Sequence, residues 1–368
     1  MNRFISQKFR FYSFICIALL MFVHGYNLKE TYLTPASLVD EPMSFASFIE
    51  YFISNGLLRF RIPMLFIISG YIFALQDNKP YAERAKSRFI TLIIPYFIWS
   101  AIGIAITYLW QQFPITAQAV QSAKLDQLGD YRPYDEIGWQ GILLRWLLAP
   151  PSYQLWFIKN LFVYNLLYPV FRWIVKEYPV IWFSILFILM LLLFQFVVID
   201  AQGMFFFTLG IWLRKANYPI DRKPIWFSAY LYWLIFLGLV TIKTFMAFEF
   251  GSHVYVTYYT MMLLHFCAVI AGVIAVWFSA DMVVRWCMSR KWFIWATSFS
   301  FIIFGLHVPL LNYVMRIAYM YGHNIPNYRI ISFIIIPTLV LLFCIAVGAL
   351  LRKILPKFYS IATGGRGI

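Results

Sequence analysis

Two histidines inside apolar stretches are the side chains in this sequence with the clearest capacity for acid–base or nucleophilic chemistry. His24 lies near the end of the apolar run 11–28, and His307 lies within the apolar run 293–316. An ionisable group in such a run is costly and is therefore a functional candidate by default. Neutral imidazole is also well suited to act as a general base near neutral pH. The alternative for either residue is a structural histidine that bonds a neighbouring helix.

A pair of arginines, Arg84 and Arg88, precedes the apolar run 89–110 with the spacing R-x-x-x-R. Residues i and i+4 share one face of a helix, so a helical segment presents both guanidinium groups together. Each guanidinium offers several donors in a fixed plane, which suits the binding of phosphate oxygens. The alternative is that the pair only anchors a cytoplasmic segment, as basic residues commonly do.

Two further arginines, Arg59 and Arg61, lie near one end of the apolar run 54–75. A functional role is one interpretation of this position. The alternative is that the long side chains extend along the helix so that their charged ends reach the membrane interface.

The apolar run 153–171 also contains polar groups. Trp156 near its start is typical of a membrane interface, where the indole ring is favourable. Lys159 and Asn160 follow within the run, and we expect them to face a cavity or neighbouring polar groups.

The composition indicates a membrane protein. Of the 368 residues, 62% are hydrophobic and 12% are charged, whereas about a quarter of the residues in soluble domains are charged. The net charge of +15 lies mainly in short segments between apolar runs, which argues against nucleic acid as a partner. The four cysteines are far apart and have neither zinc-site spacing nor a disulfide pattern. We therefore expect no metal site.

Ten apolar segments approach the length of about 20 residues that a spanning helix needs. Backbone groups inside a bilayer must bond to one another, so these segments are expected to be helices. The sixth segment is short. The predicted spans are 11–28, 54–75, 89–110, 153–171, 179–198, 202–214, 225–246, 255–279, 293–316 and 330–352.

The distribution of charge predicts the orientation of these spans. With the amino terminus inside, about two thirds of the 30 basic residues lie in cytoplasmic segments, and about two thirds of the 15 acidic residues lie outside. Both termini are then cytoplasmic, and the long segment at about 111–152 lies on the outer face. The sequence thus predicts an all-α, polytopic integral membrane protein with one transmembrane domain over 1–368.

Together these features resemble the acyltransferase-3 family of bacterial membrane-bound O-acyltransferases over nearly the whole chain. No single motif is specific, whereas the order and spacing of the motifs along the ten spans are. The likeness rests on His24 at the end of the first span, Arg61-x-Pro63-x-x-Phe66-x-x-Ser69-Gly70-Tyr71, the Arg84/Arg88 pair, Leu155-Trp156-Phe157, and Ser298-Phe299 followed by His307-x-Pro309.

The resemblance implies ten core helices, a cytoplasmic acyl-CoA donor and an extracytoplasmic acceptor, often a glycan hydroxyl. It implies that His24 is catalytic and that Arg84 and Arg88 bind the donor. The family usually has a basic residue eleven positions before the histidine, where this chain has Ser13, and Arg10 is the nearest substitute. A second departure is Phe304, where an aromatic hydroxyl is common. We expect supporting roles for Arg61, Ser69, Trp156, Lys159, Asn160 and His307.

The expected function is transfer of an acyl group, with acetyl as the expected group, from cytoplasmic acyl-CoA to a hydroxyl of a cell-surface glycan or lipid-linked sugar. Acyl-CoA is a substrate here, and no bound cofactor is expected. The expected location is the bacterial cytoplasmic membrane. His24 would act as a general base or would itself carry the acyl group. The main alternative is a secondary transporter or polysaccharide exporter, although such proteins often show inverted repeats that are not visible here; a non-catalytic sensor or scaffold is a third interpretation.

Overall fold

The computed structural model describes residues 2–30, 32–196, 198–249 and 255–367. Within these ranges the chain is almost entirely helical. The strands in the described part form one antiparallel hairpin of two residues each, in which Gln195 pairs with Asp200 and Phe196 pairs with Ile199. The structure therefore confirms the predicted all-α fold.

The first half of the chain consists of helices and short helical turns. Two π-helical turns, Phe52–Leu57 and Phe89–Ile93, and one 3-10 turn, Tyr153–Leu155, join neighbouring helices. The α-helices are α1 (Arg3–Ala18), α2 (Leu20–His24), α3 (Phe45–Tyr51), α4 (Arg61–Ala74), α5 (Tyr81–Arg88), α6 (Ile94–Gln111), α7 (Pro114–Ala123), α8 (Tyr134–Leu147) and α9 (Trp156–Leu166).

The second half contains the hairpin and the longest helices. The elements in chain order are α10 (Tyr168–Glu177), α11 (Pro179–Leu191), β1 (Gln195–Phe196), β2 (Ile199–Asp200), α12 (Ala201–Lys215), α13 (Ala229–Glu249), α14 (Tyr255–Ser279), α15 (Asp281–Met288), α16 (Lys291–Thr297), α17 (Ser300–Gly322), α18 (Tyr328–Ile354) and α19 (Pro356–Thr363).

Seven helical segments of the described chain are long and apolar enough to cross a membrane. The number becomes eight if α10 and α11, which are bent by 116° at their junction, form one span. The predicted spans 153–171 and 202–214 are also helical, but their helices are shorter. The polytopic membrane protein expected from the sequence is confirmed. The seven segments are Arg3–His24, Phe45–Ala74, Tyr81–Gln111, Ala229–Glu249, Tyr255–Ser279, Ser300–Gly322 and Tyr328–Ile354.

The short helix α12 packs against α4 with their backbones in contact. A Cβ atom on Gly70 would lie 2.0 Å from the carbonyl oxygen of Phe207, and one on Gly210 would lie 2.1 Å from that of Ile67. Small residues at such positions let helices approach closely and pack by van der Waals contact. Because α12 has 15 residues, it is about 22 Å long, which is less than the hydrocarbon thickness of about 30 Å.

The segment 111–152, which the predicted topology puts on the outer face, is not an extended loop, because it contains the helices α7 and α8. Its second helix, α8, runs back along α6, where the Tyr96 hydroxyl donates to the Leu147 carbonyl at 3.0 Å and the Ser100 hydroxyl donates to the Trp146 carbonyl at 2.7 Å. The physical reason is that the run 142–148 is mainly apolar and packs against a helix. The Arg145–Asp126 ion pair at 2.5 Å closes the segment.

Candidate active site

A cavity of about 420 Å³ opens among α1, α4, α9 and the start of α17. We call it the inner cavity because the predicted topology puts the basic segments near its mouth on the cytoplasmic side. Its walls are mainly apolar. The lining includes Ser6, Phe9, Arg10, Ser13, Ile17, Leu65, Ile68, Ser69, Ile72, Leu92, Phe157, Ile158, Leu161, Thr297, Ser298, Ser300, Phe301, Phe304, Arg366 and Gly367.

Two cations, Arg10 and Arg366, line the inner cavity. Arg10 donates to the Thr297 hydroxyl at 2.7 Å, and Arg366 donates to the Thr91 carbonyl at 2.9 Å. Burial and the positive charge of Arg88 lower the pKa of Arg366 to about 10. Neither Arg10 nor Arg366 forms an ion pair with an acidic residue of the described chain, so the cavity has unneutralised positive charge.

The predicted pair Arg84 and Arg88 shares one helix face, and both guanidinium groups lie over the ring of Phe73, at 5.3 and 5.1 Å from its centroid. Arg84 is buried and pairs with Asp77 at 3.7 Å. Arg88 donates to the Gln76 side chain at 3.1 Å. Neither residue lines the inner cavity. Arg88 lies close enough to the cavity-lining Arg366 to influence it electrostatically, whereas Arg84 lies beside the Asp77 carboxylate.

A second cavity of about 560 Å³ lies beyond the other end of these helices, and we call it the outer cavity. Aromatic hydroxyls, amides and one arginine line it, in contrast to the apolar inner cavity. Gln127 from the segment 111–152 contributes to its wall. The polar and aromatic lining residues are His24, Tyr26, Tyr32, Arg59, Gln127, Tyr153, Trp156, Phe194, Gln195, Asp200, Gln202 and Phe266.

His24 ends helix α2 at the wall of the outer cavity. Its Nδ1 atom is hydrogen-bonded to the hydroxyl of Tyr153, and the two rings meet edge to face with centroids 5.1 Å apart. For Nε2 to serve as base or nucleophile, Nδ1 must hold the proton and donate it to the Tyr153 oxygen. The hydrogen bond thus orients the imidazole and leaves Nε2 for a substrate.

His307 lies behind His24, with the two rings 5.5 Å apart. It is fully buried, and its Nδ1 lies 2.9 Å from the Ile303 carbonyl and 3.0 Å from the Phe304 carbonyl. Carbonyl groups only accept, so Nδ1 donates and Nε2 holds the lone pair. Within the described part of the chain, that Nε2 atom has no hydrogen-bond partner.

Arg61 is the first residue of α4 and lies one helical turn before Leu65, which lines the inner cavity. It therefore lies at the end of the lining face of α4, nearer to His24. It is buried with 2% of its surface exposed, and no described atom accepts a hydrogen bond from its Nη1. The alternative in which Arg61 extends to the membrane interface is therefore not what the structure shows. Its guanidinium influences both His24 and His307 electrostatically.

The helices break where the two cavities approach each other. Leu19 separates α1 from α2, about one and a half helical turns before His24. In α17 the backbone of Val308 leaves the helical region, directly after His307. Both histidines thus lie beside an interruption in a helix, where the backbone can adjust with less loss of hydrogen bonding than in a continuous helix.

The remaining predicted residues occupy different places. Ser69 lines the inner cavity and Trp156 lines the outer cavity. Lys159 lines neither cavity and donates to the Leu148 carbonyl at 2.8 Å, which fixes the end of α8. Asn160 donates to the Asp200 carboxylate at 2.7 Å and so holds an acid at the wall of the outer cavity.

Sequence reasoning gave no role to Tyr153 or Arg366, and it left Arg59 undecided. Tyr153 and His24 are 129 positions apart, so only the fold shows that they are bonded. Arg366 belongs to the carboxyl-terminal tail, where its charge is also explained by the cytoplasmic excess of basic residues. The glycine-rich segment 364–367 gave no reason to expect from the sequence that the tail enters a cavity.

The comparisons with known proteins agree with this architecture. A family model described as "Acyltransferase domain" matches residues 7–352. The succinoglycan biosynthesis protein ExoH of Rhizobium meliloti (strain 1021) is 24% identical over 382 residues, which cover 100% of this chain and 94% of that protein. No solved structure matches the chain. The family model covers most of the chain, so the chain belongs to the acyltransferase-3 family and is a membrane-bound acyltransferase that transfers groups other than aminoacyl groups.

Proposed function

We propose that the protein transfers an acyl group from acyl-CoA, bound from the cytoplasm, to a hydroxyl of a polysaccharide or its lipid-linked precursor on the outer side of the bacterial cytoplasmic membrane. The observation that carries the proposal is the position of His24, which lies at the outer cavity just beyond the apolar inner cavity with its basic lining. The relationship to a succinoglycan biosynthesis protein supports a polysaccharide acceptor.

The inner cavity suits the donor. Acyl-CoA combines phosphate groups with a long, less polar pantetheine arm that ends in the thioester. Arg10 and Arg366 hold the phosphates by charge-assisted hydrogen bonds, and Arg88 adds positive potential. The pantetheine arm passes between the apolar walls toward Phe304 and Leu65, where the inner cavity ends. This assignment gives the phosphates to Arg366 rather than to Arg84, because Arg84 does not line the inner cavity and lies near Asp77, a carboxylate that it shares with Arg172 and Lys215.

The chemistry at His24 breaks the thioester C–S bond and forms an ester C–O bond. As the acceptor oxygen attacks the carbonyl carbon, Nε2 takes the proton from the hydroxyl and then supplies it to the departing CoA sulfur. Negative charge develops on the carbonyl oxygen, and the buried Arg61 stabilises it with the donors that Nη1 leaves free. Tyr153 holds the imidazole in the tautomer that this step requires.

A second route uses His24 as the nucleophile. Nε2 then attacks the thioester carbon, the C–S bond breaks, and CoA leaves as a thiolate that takes a proton from water. The acceptor hydroxyl next attacks the acyl-imidazolium, its proton passes to water, and His24 is released in its neutral form. Incubation with radiolabelled acyl-CoA without an acceptor distinguishes the routes. Label retained on the denatured parent protein but not on His24→Ala supports the acyl-enzyme, whereas unlabelled protein with full turnover supports general base catalysis.

The proposed function is tested by acylation with purified protein in nanodiscs. Radiolabelled acyl-CoA and cell-surface glycans from the source bacterium are supplied, and transfer to the glycan is measured. We expect transfer that depends on both His24 and the donor. Donor-independent movement of the glycan across a membrane, without acylation, would instead favour the transporter.

A further inference from the structure

Arg59 is a cation of the outer cavity for which the described residues supply no carboxylate. Its Nη2 donates to the Leu33 carbonyl at 2.6 Å, and its Nε is buried without a hydrogen-bond partner among the described atoms. It takes part in no ion pair of the described residues. An arginine guanidinium stays charged in proteins, so the positive charge remains in the cavity wall.

The surroundings of Arg59 add further positive groups. The Lys243 amine, which is 1% exposed, donates to the Asn55 carbonyl at 2.6 Å and lies near enough to Arg59 for repulsion. Arg61 is likewise close enough to Arg59 for repulsion. Neither forms an ion pair with an acidic residue of the described ranges.

The acid that lines the outer cavity is already used within the protein. The carboxylate of Asp200 accepts hydrogen bonds from Asn160 at 2.7 Å, from Tyr164 at 2.9 Å and from the Gly203 amide at 2.5 Å. These donors compensate its charge locally. The cation of Arg59 therefore lacks a counter-charge within the cavity.

A cation whose Nε is buried and which has no counter-ion among the described residues is incompletely compensated, which is unfavourable for the folded protein. A bound anion compensates this cost, and planar guanidinium groups bind carboxylate and phosphate in a defined geometry. Arg59 lines the cavity from which the acceptor reaches His24, and it does not line the inner cavity. A substrate that brings a negative charge to this position gains an interaction that a neutral substrate cannot make.

We infer that the acceptor is an anionic glycan, with a carboxylate or a phosphate group that binds Arg59 while a neighbouring hydroxyl meets His24. The inference rests on the proposed function and narrows its acceptor class. Two sources of negative charge fit this inference, and the experiment below distinguishes them. A carboxylate of a uronic acid and a phosphate of a lipid-linked sugar bind a guanidinium by the same hydrogen bonds.

The test compares acceptors that differ only in charge. Envelope glycans of the source bacterium are separated by anion exchange, and the acidic fraction is divided into untreated, carboxyl-reduced and phosphatase-treated portions. Each is incubated with parent protein, Arg59→Gln, Arg59→Lys or His24→Ala. The radiolabelled donor is acetyl-CoA or a CoA monothioester of a dicarboxylic acid.

We expect His24-dependent label in the acidic fraction and at least about tenfold less in the portion that has lost the recognised anion, since charge-assisted hydrogen bonds are the strong ones. Loss after carboxyl reduction identifies a carboxylate, and loss after phosphatase treatment identifies a phosphate. Arg59→Gln should lower labelling of the acidic glycan to the level of the neutral one, and Arg59→Lys should retain part of the preference.

Binding of acetyl-CoA by Arg59→Gln serves as the folding control, and we expect it to equal that of the parent. If Arg59→Gln also loses acetyl-CoA binding, the inference is tested instead by the labelling of untreated and treated glycans by Arg59→Lys and the parent.

Equal labelling of neutral and acidic glycans by parent and Arg59→Gln would overturn the inference. So would an effect of Arg59→Gln confined to the dicarboxylic donor, because the anion would then belong to the acyl group. No His24-dependent label with either donor would contradict the proposed function and the inference with it.

Discussion

The inner and outer cavities meet at helix α9, where Phe157 lines the inner cavity and Trp156 lines the outer cavity, yet their linings have opposite chemistry. The inner cavity has mainly apolar walls, with the cations Arg10 and Arg366 among its lining residues. The outer cavity is lined by hydroxyls, amides and Arg59. The two do not share a lining residue in the described chain. This difference is the basis for our proposal that the inner cavity binds acyl-CoA and the outer cavity binds the glycan.

The layer between the cavities contains buried polar groups whose hydrogen-bonding capacity is not fully used by the described protein atoms. His24, His307 and Arg61 meet there, and the latter two are buried with unpartnered nitrogen atoms. Burying such groups costs free energy unless a ligand or reaction uses them. We therefore propose that acyl transfer takes place at the boundary between the two cavities, and substitutions on each side of the boundary test this proposal separately.

The largest effect is expected for the boundary itself. His24→Ala should lower transfer by about 10²–10⁴-fold, the usual contribution of general acid–base catalysis, and by more if His24 carries the acyl group. Helix propensity favours alanine, so insertion should survive. Initial rates at matched amounts of inserted protein test this. His323→Ala is the control, because His323 is exposed on the protein and lines neither cavity; near-parental turnover of His24→Ala would refute the catalytic assignment.

Removing the buried charge of the boundary should have the next largest effect. Arg61→Gln should reduce kcat by about 10²–10³-fold, as the loss of a donor to a developing oxyanion typically does. The KM for acyl-CoA should change little, because Arg61 does not line the inner cavity. Steady-state kinetics of parent and variant separate the two parameters. A variant that changes only KM would show that Arg61 binds the ground state.

The inner cavity alone should respond to loss of its cations. Arg10→Ala and Arg366→Ala should each weaken acyl-CoA binding by about tenfold or more, since a hydrogen bond to a charged group contributes about 1.5–3 kcal/mol before screening. Lys86→Ala on the exposed side of α5 is the matched control. Isothermal titration with acyl-CoA measures the affinities.

The same titration distinguishes Arg366 from the pair predicted by the sequence. Arg84→Ala should leave acyl-CoA affinity near the parental value and lower thermal stability, because Asp77 would lose a buried partner. A larger loss of affinity for Arg84→Ala than for Arg366→Ala would return the phosphate site to Arg84 and Arg88.

The smallest effect is expected for the group that orients the imidazole. Tyr153→Phe removes one hydrogen bond, worth about 0.5–1.5 kcal/mol, and should lower kcat by about 2- to 10-fold without changing donor affinity. Tyr321→Phe is the control, because Tyr321 is exposed and lines neither cavity. An unchanged kcat for Tyr153→Phe would mean that the histidine needs no such orientation.

The helical fold and the region of the site follow from the sequence because apolar length and charge asymmetry act locally along the chain. The positions of His24 and of the paired face of Arg84 and Arg88 follow from the same periodicity. Helix breaks are harder to predict. The run 153–171 is interrupted at Leu167, and α8 folds back along α6, because tertiary contacts such as the Tyr96–Leu147 hydrogen bond decide these paths.

Long-range partnerships account for the rest of what the sequence leaves open. Whether Arg84 is free for phosphate depends on Asp77, and whether Arg366 reaches the donor depends on the tail that folds against Ser298 and Thr91. The burial of the Arg61 side chain and of the Nε atom of Arg59 likewise depends on neighbours from other parts of the chain. Spacing along one segment does not contain this information.

The central claim is that one reaction centre at His24 receives its donor from the cytoplasm and its acceptor from outside. Sealed proteoliposomes of uniform orientation test it most directly. Radiolabelled acyl-CoA is supplied only at the cytoplasmic face and glycan acceptor only at the opposite face, with His24→Ala vesicles in parallel. We expect label on the glycan in parent vesicles alone, and none when donor and acceptor are exchanged between the faces. Transfer only when both substrates are on the same side would contradict the account.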